Sequence, residues 1–539
     1  MSRSTLFRQV AHLLKPLQPS STKSERSASE RSSIPLSRRS LLQYSAVSAL
    51  LGTWELGPIP DSVVPPRLGQ KQLTIAIIGG GIAGLNAAYQ LKKAGLMATV
   101  YEAKPYVGGR IQSQSIVIEG LINDLGATFI NRNHLDILTL VDELGLTLHD
   151  CSAPPQAAST AYYFEGRAIA EAELAEALRP LAIQIAEDAS RLDEDFDRYG
   201  PGLDQLSVKA YLDLHADKIA EPYVRSLIEN SIRTEYGVEP DQSSALQLLD
   251  NLPSVTADRV TVLASDEALS LKGGSAQLIK ALSVQLDGQI QTQRRLTRIH
   301  AAGEGFLLTF ENAPTLVKAD YMIMAIPFQV LRRIDLQVSL PQGLRHFIQT
   351  VNLGCNEKLF AGFERRSWQH AFIHSAWSDQ NYSQIWEDTQ RQPDSEAGVL
   401  TFLFGGAKAA ELNRQAWAQP LHRQGQNCLK TLEPVIPTVK QTATGRFFQT
   451  AWADDPDIGG GYTTFKPGQY SQFRRFMYVE ASGDPSQPPQ NVNVGNLAFA
   501  GEHLSQAFYG YMNGAAQTGR LAADVIMRRM EQTSRLKTL

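Results

Sequence analysis

The clearest hydrophobic pattern in the chain begins just after a proline-rich stretch. Residues 73–78 form a short apolar run rich in β-branched side chains, which is typical of a buried strand. Residues 79–84 then read G-G-G-I-A-G, and apolar positions recur at helical spacing as far as residue 96. A second apolar run, 98–101, ends in Glu102. The pattern predicts a strand, a glycine turn, a helix and a second strand.

This succession of elements is typical of a dinucleotide site. Gly79 permits the tight turn, Gly81 lets the backbone approach a pyrophosphate, and Gly84 lets the helix close on the sheet. Glu102, about twenty residues further on, can accept hydrogen bonds from a ribose diol. The glycine motif alone is weak evidence for a dinucleotide site. It becomes specific here because the strand, the helix and the terminal glutamate all stand at the expected spacing around it.

The rest of the chain divides into two broad regions by pattern. Residues 135–260 look helical, with a run rich in Ala, Glu and Leu at 170–191. Residues 345–465 are rich in strand patterns. Since no clean compositional boundary separates these regions, we expect interleaved domains.

The first 71 residues have a different character. Residues 1–40 carry a net charge of +6, so the remaining chain carries −10 of the overall −4. Arg38 and Arg39 precede an apolar run at 41–52 that is too short to span a bilayer comfortably, and a proline-rich linker follows. This order resembles a bacterial twin-arginine signal. We expect recognition by that export machinery and delivery to the periplasm, the thylakoid lumen or the outside. The alternatives are an uncleaved membrane anchor, peripheral membrane association, and a buried helix.

Composition narrows the class of protein. With 43 % hydrophobic and 20 % charged residues in 539, the chain is neither disordered, collagen-like nor a multi-span membrane protein. The charge of −4 argues against a nucleic-acid partner. Three scattered cysteines suggest no disulfide framework. His370 and His374 stand four residues apart without a third candidate ligand, so we assign no metal.

Further motifs identify which dinucleotide is expected. Residues 102–110 read E-A-x-x-x-x-G-G-R, and the other motifs follow in order at 124–129, 272–274, 352–360, 452, 459–464, 500–503 and 510–516. Together these motifs resemble the flavin-containing amine oxidases, of the monoamine oxidase and L-amino-acid oxidase type. The resemblance covers roughly residues 73–530.

The resemblance implies a fold, a cofactor and a set of site residues. The fold class is mixed α/β, with a Rossmann-type FAD-binding domain (about 72–130, 265–325 and 490–530) interleaved with a substrate domain (about 131–264 and 326–489) that holds a mixed sheet and helices. The FAD-binding residues would be Gly79, Gly81, Gly84, Glu102, Gly109, Arg110, Leu296, Gly501, Glu502 and Met512. The catalytic residues would be Lys358, which would hold a water near flavin N5, Trp452 as a cofactor wall, and Tyr462 and Tyr511 as an aromatic cage.

Two departures from the family pattern bear on cofactor and substrate. Gly461 occupies the position where mammalian-type monoamine oxidases carry a flavin-linked Cys, so we expect FAD to be held noncovalently. Phe129 occupies the position of the arginine that clamps the substrate carboxylate in venom-type L-amino-acid oxidases, with Arg132 nearby but displaced. Three acids, Asp454, Asp455 and Asp457, could select a cationic substrate tail or simply form a solvated turn.

The leading hypothesis is an FAD-dependent oxidase of primary amines or L-amino acids, with basic ones as a further option. It would form an imine that hydrolyses to a carbonyl product, and O2 would be reduced to H2O2. The alternatives are a desaturase or isomerase of a hydrophobic substrate such as a carotenoid, and a flavin-fold protein without turnover. The oligomeric state and the physiological electron acceptor stay open.

Overall fold

The computed structural model describes residues 73–151, 159–371, 373–482 and 488–536. The twin-arginine-like signal and its proline-rich linker lie outside the described residues. Among the described residues, no helix combines the length and apolar character needed to cross a membrane.

The dinucleotide motif forms the strand, turn, helix and strand that the pattern predicts. The first strand spans Ile75–Ile78, the helix Ile82–Lys93, and the second strand Ala98–Tyr101. Both strands belong to a six-stranded sheet that is parallel except for its last strand. In spatial order its strands are Ile290–Gln291, Ala98–Tyr101, Ile75–Ile78, Tyr321–Met324, Leu497–Phe499 and Asn493–Val494.

This sheet is assembled from distant parts of the chain. Its central strand Ile75–Ile78 pairs in register with Tyr321–Met324, which in turn pairs with Leu497–Phe499. All four residues of the central strand are buried, as expected for a parallel strand covered on both faces. The last helix, Met512–Leu536, crosses the first so closely that a Cβ on Gly519 would lie 2.2 Å from the Ala83 carbonyl oxygen.

A seven-stranded sheet forms the second large layer. Its strands, in spatial order, are Ala443–Gln449, Asn356–Phe363, Gly398–Gly405, Gln384–Glu387, Ile373–Ser378, Ser159–Phe164 and Arg167–Ile169. All neighbours are antiparallel except Ile373–Ser378 and Ser159–Phe164. Asn356–Phe363 is buried along its whole length, so the polar side chains it carries lie inside the protein.

Smaller sheets complete the strands. A four-stranded sheet has the order Val317–Ala319, Gly305–Phe310, Leu296–Ala302 and Asp335–Gln337. The two-stranded pairs are Ser113–Gln114 with Asn123–Asp124, Leu148–Asp150 with Leu269–Leu271, Ser254–Thr256 with Arg259–Thr261, and Asn352–Leu353 with Thr463–Thr464.

Helices fill the segments between the strands. The other α-helices are Leu135–Glu143, Glu171–Glu194, Phe196–Asp204, Val208–Leu214, Pro222–Tyr236, Ala245–Asn251, Ala276–Gln285, Phe328–Leu331, Gln342–Thr350, Ala407–Ala418, Leu421–Leu432 and Gln469–Phe473. Short 3₁₀ turns lie at Ala216–Lys218, Ser367–Ala371, Val439–Gln441, Arg474–Phe476 and Glu502–Leu504.

The region predicted as helical also contains strands. The hairpin Ser159–Phe164 and Arg167–Ile169 extends the seven-stranded sheet, so a purely helical reading of 135–260 is wrong there. Its residues alternate and are rich in aromatic side chains, and Glu165 and Gly166 both have positive φ, as a tight hairpin turn requires. The boundaries of the two interleaved domains stay a prediction.

Candidate active site

The glycine turn is shaped by close contacts between main chains. Gly79 has φ +106°, and a Cβ there would lie 2.5 Å from the Ala325 carbonyl oxygen. A Cβ on Gly84 would lie 2.0 Å from the Gly79 carbonyl oxygen, so this glycine lets the helix close on the turn. Gly84 does not line the cavity described below, so its part in the motif is the close packing of helix on turn and not a contact with the ligand.

Gly81 differs from these two glycines. It lines a cavity, has the extended conformation φ −75° and ψ 176°, and a Cβ added to it would meet no protein atom within 4 Å. Gly109 faces it from the second glycine motif, with an added Cβ 3.6 Å from the Gly81 Cα. The two glycines therefore leave room for a ligand against the backbone at the start of the helix.

Glu102 is fixed at the end of its strand by the main chain. Its carboxylate accepts hydrogen bonds from the backbone amides of Gly80 at 2.7 Å and Lys104 at 2.8 Å. Burial raises the pKa of this carboxyl group, while the two amides oppose the shift. The carboxylate is held at the cavity wall, where a ribose diol can reach it.

One long cavity joins most of the predicted site residues. Its empty volume is about 1800 Å³. The predicted residues that line it are Gly79, Gly81, Glu102, Gly109, Arg110, Leu296, Lys358, Trp452, Tyr462, Gly501, Glu502, Tyr511 and Met512. The cavity runs from the glycine turn of the six-stranded sheet to the lysine strand of the seven-stranded sheet, so both sheets are needed to form it.

Arg110 and Glu502 form an internal ion pair at this cavity. Their nearest side-chain atoms lie 3.0 Å apart, and the same Arg110 nitrogen donates to the Gly461 carbonyl. Glu502 also accepts from Thr463 Oγ1 and the Gly510 amide, each at 2.7 Å. Burial alone would raise the pKa of Glu502, but Arg110 and these donors lower it overall.

This arrangement changes the role expected for both residues. The Arg110 Nη1 is occupied within the protein, so it does not present the full planar fork that the sequence suggested for a phosphate. Glu502 accepts hydrogen bonds from Thr463 and Gly510, the residues next to the two predicted cage tyrosines. Its carboxylate therefore helps to fix the positions of these tyrosines at the cavity.

Lys358 is buried on the lysine strand with all three of its hydrogens donated. Its Nζ lies 2.9 Å from the Asp124 carbonyl, 2.7 Å from the Gly126 carbonyl and 2.9 Å from Thr128 Oγ1. Burial lowers the pKa of this ammonium, against the opposing effect of nearby carboxylates. The Trp386 ring centre lies 5.3 Å from Nζ.

Trp452 is positioned by a buried carboxylate that the sequence analysis did not single out. Glu357, on the opposite face of the strand from Lys358, accepts from the amides of Trp452 at 2.9 Å and Ala453 at 3.0 Å. It also accepts from Thr450 Oγ1 at 2.6 Å and Asn413 Nδ2 at 3.1 Å. A buried acidic side chain beside the lysine was the available signal.

Tyr462 and Tyr511 both line the cavity. Burial raises the pKa of the Tyr462 phenol, and the carboxylates of Glu235 and Glu267 raise it further. The Tyr511 ring lies edge-on to His134, with centres 5.1 Å apart. Two aromatic rings and a buried lysine thus line the same cavity.

Two of the three acids considered for selecting a cationic substrate are paired with basic side chains of the protein. Asp455 pairs with Lys104 and Asp457 pairs with Arg295, and Asp454 is exposed. Asp457 also acts electrostatically on Glu102, so these acids lie towards the ribose side of the cavity. The hypothesis that these acids bind a substrate tail is therefore wrong for Asp455 and Asp457.

The residues near the missing carboxylate clamp also have other partners. Phe129 packs near Trp386, with ring centres 6.3 Å apart. Arg132 is half-exposed and pairs with Asp150 at 3.4 Å and Asp266 at 3.6 Å. In the part of the chain that the structure describes, no group of three or more His, Cys, Asp or Glu residues is placed to hold a metal ion.

His503 is a cavity residue to which the sequence analysis gave no role. It is 3 % exposed, and neither ring nitrogen has a hydrogen-bond partner. Burial lowers the pKa of the imidazole to about 4, so it is neutral near pH 7. It is the middle residue of the short 3₁₀ turn Glu502–Leu504, and its place directly after Glu502 in the motif at 500–503 was the available signal.

The cavity fits a dinucleotide that carries a diphosphate. The open space at Gly81, the orphaned nitrogens of His503 and a basic lining are what such a ligand requires. The basic side chains of the lining are Lys104, Arg110, Arg294, Arg295, Arg333 and Lys358.

Comparison with known proteins decides the family. The sequence profile described as flavin containing amine oxidoreductase matches residues 82–527, which is most of the chain. The chain belongs to this family. It is an FAD-dependent oxidoreductase, and the expected fold class and cofactor are confirmed. Membership also favours amine oxidation over a carotenoid-type reaction and over a flavin fold without turnover.

Individual relatives of this amine oxidoreductase are distant but match along most of their length. Flavin-containing amine oxidase B of Sus scrofa is 24 % identical over 482 residues, which are 85 % of this chain and 86 % of the relative. A putrescine oxidase with bound putrescine has a TM-score of 0.67 at 20 % identity, covering 85 % of this chain and 99 % of its own. Cyclohexylamine oxidase from Brevibacterium oxydans has a TM-score of 0.67 at 20 % identity, covering 86 % and 100 %.

Proposed function

We propose that this flavoenzyme oxidises the carbon–nitrogen bond of primary amines. The observation that carries the proposal is that one cavity is lined both by Gly81 of the glycine turn and by Lys358, Tyr462 and Tyr511. When bound, FAD supplies the oxidising chemistry, since it accepts two electrons and a proton from the carbon next to nitrogen and O2 is afterwards reduced to H2O2. The substrate leaves as an imine, and water converts the imine into a carbonyl compound and ammonia.

The two tyrosines orient the amine. Their ring faces attract an approaching ammonium or amine group by about 1 kcal/mol, and their bulk keeps water from the reacting carbon. Trp452 gives the cavity a flat wall, and Glu357 fixes its main chain. Tyr462 and Tyr511 each neighbour a residue that donates a hydrogen bond to Glu502, so this carboxylate links the two segments that carry the tyrosines.

Lys358 is proposed to hold a water molecule at the reacting end of the cofactor, as the family resemblance implies. In the structure its three hydrogens reach Asp124 O, Gly126 O and Thr128 Oγ1. One of these bonds must therefore be released when the water is held, and the Thr128 hydroxyl is the partner that can turn away at the lowest cost.

The cofactor is proposed to be noncovalent. At Gly461, where a flavin-linked cysteine would stand, an added Cβ would lie 2.9 Å from the Cβ and Oδ1 of Asn356. A side chain at this position would meet Asn356 before it reached the cavity. Acid precipitation of the holoenzyme should therefore release the yellow colour into the supernatant, and flavin that stays with the pellet would overturn this assignment.

The activity is tested by anaerobic reduction of the enzyme-bound flavin. Primary amines, polyamines and L-amino acids are added in turn, the flavin absorbance is followed, and H2O2 is measured after air is admitted. We expect primary amines to bleach the flavin faster than neutral L-amino acids, because Phe129 stands where the carboxylate clamp is expected and Arg132 is paired. If no amine bleaches the flavin, the proposal fails.

Two lysine variants make the role of Lys358 testable. Lys358→Met should keep its FAD but turn over and reoxidise slowly. Lys408→Met is a control, because Lys408 is half-buried and donates to two carbonyls, those of Asp379 and Tyr382, but does not line the cavity. Equal turnover in both variants and in the parent enzyme would remove the role from Lys358.

A further inference from the structure

A short loop stands between the cavity and solvent on the ribose side. It comprises residues 453–458, which directly follow Trp452 in the chain. Pro456 is exposed to solvent and also lines the cavity, and the next two residues, Asp457 and Ile458, line it as well. Because one side of this loop meets solvent and the other meets the cavity, a movement of the loop opens or closes the cavity at this place.

Both ends of the loop are held by buried contacts. At its start, the amides of Trp452 and Ala453 donate to the Glu357 carboxylate at 2.9 Å and 3.0 Å. At its end, Ile458 is 3 % exposed and belongs to the same apolar cluster as Trp452. Moving either end would break buried contacts, so the part of the loop that can move at low cost is residues 454–457.

The middle of the loop is held by charged side chains from distant segments. Asp455 pairs with Lys104, and Asp457 pairs with Arg295 through both carboxylate oxygens, with one of the two hydrogen bonds at 2.8 Å. Arg333 donates to the carbonyl of the intervening proline, also at 2.8 Å. The four paired side chains are 10–39 % exposed, so water can replace their partners. These contacts close the loop over the cavity but can break and form again.

We propose that residues 454–457 are a latch that opens to let FAD enter and leave, and that the ion pairs with Lys104 and Arg295 limit the rate of this exchange. The inference rests on the noncovalent binding proposed above, since only a noncovalent cofactor exchanges. The ion pairs join protein to protein, so they oppose opening equally before FAD enters and before it leaves. A latch of this kind sets the rates in both directions and leaves the dissociation constant nearly unchanged.

A residue that contacts FAD directly would behave differently, because its loss speeds release and weakens binding without speeding entry. Asp455 separates the two cases, since it does not line the cavity although its partner Lys104 does. Asp455→Asn removes the charge but keeps the Oδ1 oxygen, which accepts from the Asp457 amide at 2.9 Å. The turn inside the loop is therefore preserved in this variant, and the ion pair is lost.

The experiment follows flavin fluorescence in two directions, as FAD leaves the diluted holoenzyme and as FAD binds to the apoprotein. In Asp455→Asn both rate constants should rise about twofold to fivefold, while the dissociation constant stays within about twofold of the parent value. Combining Asp455→Asn with Lys104→Met should give rates no faster than Lys104→Met alone, because the same ion pair is already broken.

The matched control is Asp454→Asn, which removes the same charge from the neighbouring exposed position and should leave both rate constants at the parent values. Unchanged rates in Asp455→Asn overturn the latch, and so does an equal acceleration in Asp454→Asn. Faster release with a proportional rise in the dissociation constant also overturns it, since the acid then stabilises bound FAD. If acid leaves the flavin in the protein pellet, the noncovalent assignment itself fails, and the latch fails with it.

Discussion

Two alanine substitutions in the same glycine motif should have opposite consequences. Gly81→Ala should leave the apoprotein stable and weaken FAD binding, whereas Gly84→Ala should destabilise the fold. The reason is what each new methyl group would meet. At Gly81 it meets no protein atom within 4 Å and points into the cavity, while at Gly84 it lies 2.0 Å from the Gly79 carbonyl oxygen.

The magnitudes follow from these contacts. Gly81 has φ −75°, a conformation open to alanine, so the apoprotein should lose nothing and can gain up to about 1 kcal/mol in free energy of unfolding. A methyl group forced against a bound ligand costs about 1–3 kcal/mol, which is about a 5- to 150-fold rise in the FAD dissociation constant. At Gly84 the contact is with backbone, so a similar or larger penalty falls on the fold itself.

The assay combines thermal unfolding of the apoproteins with titration of FAD by its fluorescence. Gly81→Ala should match the parent apoprotein in melting temperature and bind FAD more weakly. Gly84→Ala should melt at a lower temperature. An FAD dissociation constant that is unchanged in Gly81→Ala refutes the placement of the cofactor along this glycine, and an equal loss of apoprotein stability in both variants refutes the division between packing and binding.

The remaining predictions concern buried polar groups. In Glu357→Gln, a carboxylate oxygen that accepts two hydrogen bonds is replaced by an amide group that can only donate. Unfolding by denaturant should therefore show a loss of about 3–6 kcal/mol in the free energy of unfolding. An unchanged unfolding midpoint contradicts the positioning of Trp452 by Glu357. His503→Phe keeps an aromatic ring against Phe328 but removes both nitrogens that have no hydrogen-bond partner. The FAD dissociation constant should therefore rise about 2- to 12-fold, while the stability of the apoprotein stays unchanged or increases. An FAD affinity equal to that of the parent enzyme contradicts a role for His503 in binding the cofactor.

Local signals in the chain were enough to predict the dinucleotide unit. The β-branched run, the glycine spacing and the terminal glutamate act over about thirty residues, and the structure places Ile75–Ile78, Ile82–Lys93 and Ala98–Tyr101 where the pattern put them. The order of the later motifs sufficed for the family and the cofactor. The hairpin Ser159–Phe164 and Arg167–Ile169 was missed because its neighbours are strongly helical and its partner strand, Ile373–Ser378, lies two hundred residues away.

The sequence by itself determined the fold class, FAD, and a set of site residues most of which line the cavity, because each of these depends on short motifs whose spacing is fixed by strand and helix geometry. Only the tertiary structure decided what the charged residues do. Asp455 and Asp457 looked available for a substrate, yet Lys104 and Arg295 reach them from segments far away in the chain. Charges act through space, and a linear pattern does not contain the distances that pair them.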